Sequence, residues 1–302
     1  MTTVEDSGVA APQPAKVLHG RRQRYRVEGS RAGRVLRTVA LTLFVIAALF
    51  PFYWIVITSL KSDSALAAGT KSLFPSHVTF SAYSQDFTEN DFWRPLLNSA
   101  LIGLITTLVT VLVGSCAGYA LARTQIRPKG LFLGFILVAG FFPVVAMVGP
   151  LFLAYSNLGL LDNFTSLIVA YLVYTLPIAT WFLANFFSQL PVEIEEAAMI
   201  DGLGRFRTLY RVVMPVALPG VLTAAILSFI LSWNDFIFAL SFLQTPTKFT
   251  APLAMVNLGQ SQFQVFPNLV DAAVVVVTIP IAAIVIFAQR RIVSGFTAGS
   301  SR

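Results

Sequence analysis

Charge is scarce in this 302-residue chain. Asp, Glu, Lys and Arg make up 12% of it, against 56% hydrophobic residues, whereas soluble domains carry roughly 25% charge. That excludes a water-soluble globular protein and points to an integral membrane protein. Cysteine occurs once, as Cys116. A lone thiol has no partner within the chain, so an internal disulfide framework and a C-x-x-C metal or redox site are excluded. Histidine occurs only as His19 and His77, and no H-E-x-x-H run exists, so no metal site is expected. There is no G-x-x-x-x-G-K-[ST] run either, so the chain has no P-loop of its own. No cluster of catalytic residues falls on adjoining apolar runs, and the expected list of catalytic residues is empty. The net charge of +7 is read as a topology signal rather than a nucleic-acid surface.

What the chain does have is long apolar runs. Residues 1–34, with the basic stretch "RRQRYR", read as a flexible cytoplasmic tail. Thr38–Leu60 carries no formal charge over about 23 residues, enough to cross a hydrocarbon core of roughly 30 Å and too long for a signal-peptide core. It is expected to be an uncleaved first helix, within 35–60. An external loop (61–94) and a permeation core (95–290) follow, then a cytoplasmic tail (291–302). The further runs are Pro95–Ala122, Leu131–Tyr155, Thr165–Ser188, Val212–Leu240 and Pro267–Gln289. The expectation is an all-α membrane protein of six transmembrane helices. With that count, 17 of the 21 basic residues fall on one face. Lys61, Lys71, Arg94 and Lys248 fall on the other. The bias puts both termini in the cytoplasm.

Pro51, Pro143, Pro150, Pro177 and Pro280 interrupt the apolar runs. They read either as kinks along a path that opens or as ordinary bundle packing. The small-residue stretch "LVGSCAGYALA" suits a close helix contact, within the chain or with a second subunit. Ionisable groups are missing from the midplane. Asp235 and Asp271 sit near the outer ends of their runs, which disfavours a self-sufficient ion-coupled carrier. Trp233, Asn234 and Asp235 are candidates for a translocation path, because an aromatic face and hydrogen-bonding side chains suit a polyol. They could equally cap the outer end of the fifth helix.

One short segment breaks the apolar pattern, "EEAAMIDGLGRFRTLYRVVMP" from Glu195 to Pro215. Pro191 suits a first helical turn, and Glu193, Glu195 and Glu196 sit where a helix dipole favours negative charge. Gly202 permits a left-handed residue that ends the helix. A short helix at the cytoplasmic surface, within 191–207, is expected. It is either a docking element for another protein or an ordinary interfacial helix.

Glu196-Ala197-Ala198, three residues, Gly202, nine residues, then Val212-x-Met214-Pro215 resembles the EAA signature of ABC-importer permeases. "LLNSALIG", "AGYALAR", "SWNDFIFAL" and "QRRIVSGFTAG" are similar to its carbohydrate-uptake branch, in particular to the smaller permease of maltose- and trehalose-type importers. The resemblance covers roughly Val35 to Ala298 and implies a type I ABC importer permease fold in the bacterial cytoplasmic membrane. Glu195, Glu196, Ala197, Ala198, Asp201, Gly202, Arg205 and Pro215 would then form the ATPase-coupling segment. The implied partners are a second, unlike permease, two ATPase subunits that hold ATP and Mg, an external solute-binding protein and the lipid bilayer. The implied cargo is a sugar such as maltose, maltodextrin or trehalose. A polyol or glycerol phosphate carried by the same fold, and a secondary carrier, are the alternatives.

Overall fold

The computed structural model describes residues 31–67, 72–75, 77–124, 128–258 and 266–298, with side chains described from Ala32 to Phe287. Of the expected tail at 1–34, residues 1–30 lie outside them and 31–34 begin the first helix; of the expected tail at 291–302, residues 291–298 continue the last helix and Gly299–Arg302 lie outside. Helices and turns account for the regular structure, with no strand among the described residues. The chain divides between Phe50 and Pro51 into two units.

Helix α1 runs Arg31–Ser59, with Pro51 inside it. The expected external loop carries two short helices, α2 (Asp63–Ala67) and α3 (Ser81–Thr88). The 31-residue α4 is Trp93–Arg123. Then come α5 (Lys129–Gly140), α6 (Val144–Leu158) and α7 (Phe164–Phe187). The charged segment forms α8 (Glu193–Ile200) and α9 (Arg205–Thr208). A π-helical turn, Leu209–Val213, leads into α10 (Met214–Val216), α11 (Leu218–Trp233) and α12 (Ile237–Phe242). The chain continues with α13 (Ala251–Asn257) and the 32-residue α14 (Pro267–Ala298).

Two of the six expected spans are broken. Among the described residues, α1, α4, α7 and α14 are each long and apolar enough to cross a membrane alone. The run Leu131–Tyr155 is instead the pair α5 and α6, bent by 78°. Pro143 stands at that break and lacks the N–H that would continue the ladder to Ala139. The run from Val212 likewise bends by 87° between Val216 and Leu218, where Pro215 and Pro219 remove two donors within five residues. Pro51, Pro150, Pro177 and Pro280 lie inside unbroken helices. Pro177 does so in α7, which packs against α4, α5 and α11, the setting in which a missing bond is tolerated.

Helices α4, α7 and α11 form the centre of the fold. Gly118 of α4 crosses α7 so closely that an added β-carbon would lie 3.0 Å from the Ala184 backbone nitrogen and 3.2 Å from the Thr180 carbonyl oxygen. Thr110 and Thr175 share a buried hydroxyl hydrogen bond of 2.9 Å across the same seam. The small-residue stretch is therefore occupied by α7 of this chain. Below the crossing, Leu183 and Phe187 pack with Leu209, Val213 and Val221. Above it, Tyr171, Phe238 and Phe242 form the heart of a second apolar cluster.

The loop between α6 and α7 is pinned by Asp162. Its carboxylate accepts from the Gln244 and Thr245 backbone N–H groups (2.9 and 3.0 Å), from Thr245 Oγ1 (2.6 Å) and from Lys248 Nζ (2.9 Å). The Thr245 hydroxyl first, then those amides, hold this carboxyl well below the usual range. Asp86 in α3 is the opposite case. It is 1% exposed and neither carboxyl oxygen meets a hydrogen bond of normal geometry. Burial pushes it up to about 7, against the opposing pull of the nearby Asn90 side chain.

Candidate coupling segment and translocation path

Helix α8 is closed at both ends by its own backbone. It starts from the Val192 carbonyl, which accepts from the N–H groups of Glu195 and Glu196 at 2.9 and 3.0 Å. Pro191 stands just before the helix rather than in its first turn. At the other end Leu203 N–H donates to Ala198 O (3.1 Å) and Gly202 N–H to Met199 O (3.0 Å). Gly202 sits at φ +85°. This is the Schellman closure, in which a left-handed residue lets the chain turn back on the last carbonyls. The expected helix at 191–207 is thus two pieces, α8 and α9, separated by Gly202 and Gly204.

The segment's residues divide into two faces. Glu196, Ala197, Asp201, Gly202, Arg205 and Pro215 are exposed. Glu195 and Ala198 are not; they are 3% and 6% exposed and turn toward the protein body. A residue at i+1 is rotated by about 100° around a helix, which is how adjacent glutamates come to serve opposite surfaces. Glu195 Oε1 accepts from Arg123 Nε (2.8 Å) and Nη2 (2.5 Å), and its Oε2 accepts from the Tyr119 hydroxyl (2.9 Å). Arg123 and Tyr119, missed in the sequence, lie four residues apart on one face of α4. Spacing alone would have placed them together, but nothing in the sequence pointed to Glu195 from 72 positions away. Between α4 and α8–α9 lies a groove of about 460 Å³ that includes Arg123, Glu195, Met199 and Phe206 in its walls.

The three path candidates separate as well. Trp233 is 3% exposed and packs on Phe229 with ring centroids 5.5 Å apart, so it belongs to the core. Asp235 accepts from Ala239 N–H (3.1 Å), more weakly from Phe238 N–H (3.5 Å), and from the Tyr171 hydroxyl (3.0 Å). It therefore caps the start of α12 rather than the end of α11. Asn234 is exposed, and its amide donates to Ile230 O at 2.8 Å. Asn234 and Asp235 border a cavity of about 600 Å³ whose walls include Phe141, Phe142, Tyr174 and Phe236. The break between α5 and α6 therefore faces the turn between α11 and α12. Interrupted helices at membrane depth are tolerated only where they are buried or line a cavity.

Paired interrupted spans and a glycine-closed surface helix between two apolar spans define an α-helical membrane transport component. Residues 111–297 match the family described as "Binding-protein-dependent transport system inner membrane component", and the chain belongs to that family. It is a permease of the inner (cytoplasmic) membrane. It is 42% identical over 260 residues to the trehalose transport system permease protein SugB of Mycobacterium tuberculosis, covering 86% of this chain and 94% of SugB. It is 38% identical to the sulfoquinovosyl glycerol transport system permease protein SmoH of Agrobacterium fabrum, covering 89% and 94% of the two chains. In structure it is similar to a chain of a bacterial ABC transporter that imports the acidic polysaccharide alginate. The TM-score is 0.71 at 27% identity, covering 87% of this chain and 98% of that one.

Proposed function

We propose that this chain is one of two unlike permeases in an ATP-driven importer of a sugar or glycoside. Both termini and α8 face the cytoplasm. The exposed face of α8 and the turn into α9, from Glu196 to Arg205, docks on one of two ATPase subunits, which hold ATP and magnesium and hydrolyse the nucleotide. A solute-binding protein delivers the sugar to the opposite face. Asn234 and the aromatic rings around it border the path. The named roles of SugB and SmoH support a glycoside as cargo. The observation that carries the reading is the self-closed α8. Its acidic outer face, with Glu193, Glu196 and Ala197, is exposed while its inner face is locked to α4, as a docking element requires.

Tagged chain drawn from its native membrane should bring an unlike permease and an ATPase subunit with it, and the reconstituted complex should hydrolyse ATP faster when the loaded binding protein is added. Glu196→Lys should abolish that stimulation while the chain still inserts, since it puts a cation in the middle of the exposed acidic face. Gly202→Leu should weaken it. No atom lies within 4 Å of a β-carbon there, so the cost is the left-handed backbone alone, roughly 1–2 kcal/mol. Sugar uptake into liposomes by the purified chain, without ATP, would refute the reading.

A further inference from the structure

The covalent exits of α8 are poor conductors of force. Downstream the chain passes the left-handed Gly202, the extended Gly204 (φ −71°, ψ 156°) and a π-helical turn. Upstream it passes the turn at Leu190–Val192. The stiff connection is made by side chains. Arg123 grips the Glu195 carboxylate with two nitrogens, and its Nη2 also donates to the Leu190 carbonyl at 3.2 Å. One guanidinium thus ties α8 and the chain leading into it to the last turn of α4. Both nitrogens converge on the one oxygen Oε1 in charge-assisted bonds, which are stronger than neutral ones. The Tyr119 hydroxyl holds the second carboxylate oxygen, and Glu195 is sealed from solvent at 3% exposure.

Helix α4 runs unbroken from that point for 31 residues, about 45 Å at 1.5 Å per residue. Its other end is bonded just as directly. Asn98 Nδ2 donates to the Thr247 and Phe249 carbonyls, both at 3.0 Å. Ser99 Oγ accepts from the Ala251 N–H at 2.8 Å. The segment so held, Thr247–Ala251, includes Lys248, the cation on Asp162.

We propose that Glu195, Arg123 and Tyr119 form a clasp that passes movement of α8 into α4, and that α4 acts as a rod carrying it to the Thr247–Ala251 segment at its far end. These are positioning residues. They touch neither sugar nor nucleotide, and their role rests on the reading of α8 as the ATPase-docking helix. The close α4–α7 crossing at Gly118 makes α7 travel with the rod.

The test uses the full reconstituted complex. A reporter cysteine replaces Thr247, in a Cys116→Ser background. Thr247 is exposed and only its backbone carbonyl binds Asn98, so the label site leaves the contact intact. In the parent complex, the rate at which an impermeant thiol reagent labels this cysteine should change when ATP is bound. Arg123→Gln should abolish that change and lower sugar-stimulated hydrolysis by about tenfold, within the range seen when a coupling contact is lost. Basal hydrolysis and the amount of co-purified ATPase subunit should stay at parent levels, which loss of folding would not allow. Tyr119→Phe, which removes one hydrogen bond and keeps the ion pair, should give a smaller loss of about threefold in stimulation. It serves as the decisive variant if Arg123→Gln fails to assemble. Nucleotide-dependent labelling and stimulation within twofold of parent in an assembled variant would overturn the clasp. A parent complex with no bound ATPase subunit would instead overturn the reading of α8 on which it rests.

Discussion

Two glycines one turn apart on α4 should respond oppositely to the same mutation. A β-carbon at Gly114 would find Thr180 Oγ1 at 3.6 Å and Ala179 Cβ and Leu183 Cδ1 at 3.7 Å, ordinary contact distances. At Gly118 it would find Ala184 N at 3.0 Å, Leu183 Cβ at 3.1 Å and Thr180 O at 3.2 Å. Two of those are backbone atoms of α7, which cannot rotate aside. Alanine is favoured over glycine inside a helix by about 0.8–1.0 kcal/mol, so Gly114→Ala should gain up to about 1 kcal/mol. Overfilling a packed contact costs about 1–3 kcal/mol, so Gly118→Ala should lose about 1 kcal/mol after the same gain. The difference of about 2 kcal/mol is roughly thirtyfold in the folded-to-unfolded ratio. Reversible unfolding in mixed micelles, run on both variants side by side, measures it. Equal stability of the two, or a more stable Gly118→Ala, would refute the view that α4 and α7 meet at backbone distance.

Two further outcomes are expected. In intact cells with Cys116→Ser, a cysteine at exposed Ser84 should react with an impermeant thiol reagent, and one at exposed Thr124 should not; external labelling of Thr124→Cys would reverse the assigned orientation. The buried Asp86 carboxyl keeps its proton up to about pH 7 in the folded protein, against 3.8 when unexposed to burial. The folded state therefore binds more protons between those values, and stability from this group falls as pH rises from about 4 to about 7, then levels off. Asp86→Asn should flatten that portion of the melting-temperature profile. An unchanged slope would mean that the carboxyl titrates normally.

Hydropathy reports how much chain is apolar, not whether it bends. That is why the six runs were legible and the two breaks were not. Prolines occur in broken and unbroken helices alike here, so a proline alone does not mark a break. Pro177 lies inside α7 while Pro143 stands in a break, just before α6. Gly202 announced its turn because left-handed backbone has a residue preference. The opposed roles of Glu195 and Glu196 did not show, because they depend on Arg123, brought in by folding from another helix. Trp233 and Asn234 were candidates, with Asp235, for the chemistry of their side chains. One turned inward and the other toward the cavity, since the helix ends between them.

The break between α5 and α6 also bears on how the chain is built. Its pieces have 12 and 15 residues, about 18 and 22 Å of helix, each short of the roughly 30 Å hydrocarbon thickness. Neither can span alone. The break is covered by α7, where a β-carbon on Gly140 would come within 2.8 Å of Ile178 and 3.4 Å of Pro177. Ile178 is made about 38 residues after Gly140, a delay of about 2–8 s at 5–20 residues per second. Both pieces are therefore complete before the residues that cover their junction exist, and the bend acquires its final packing only with α7.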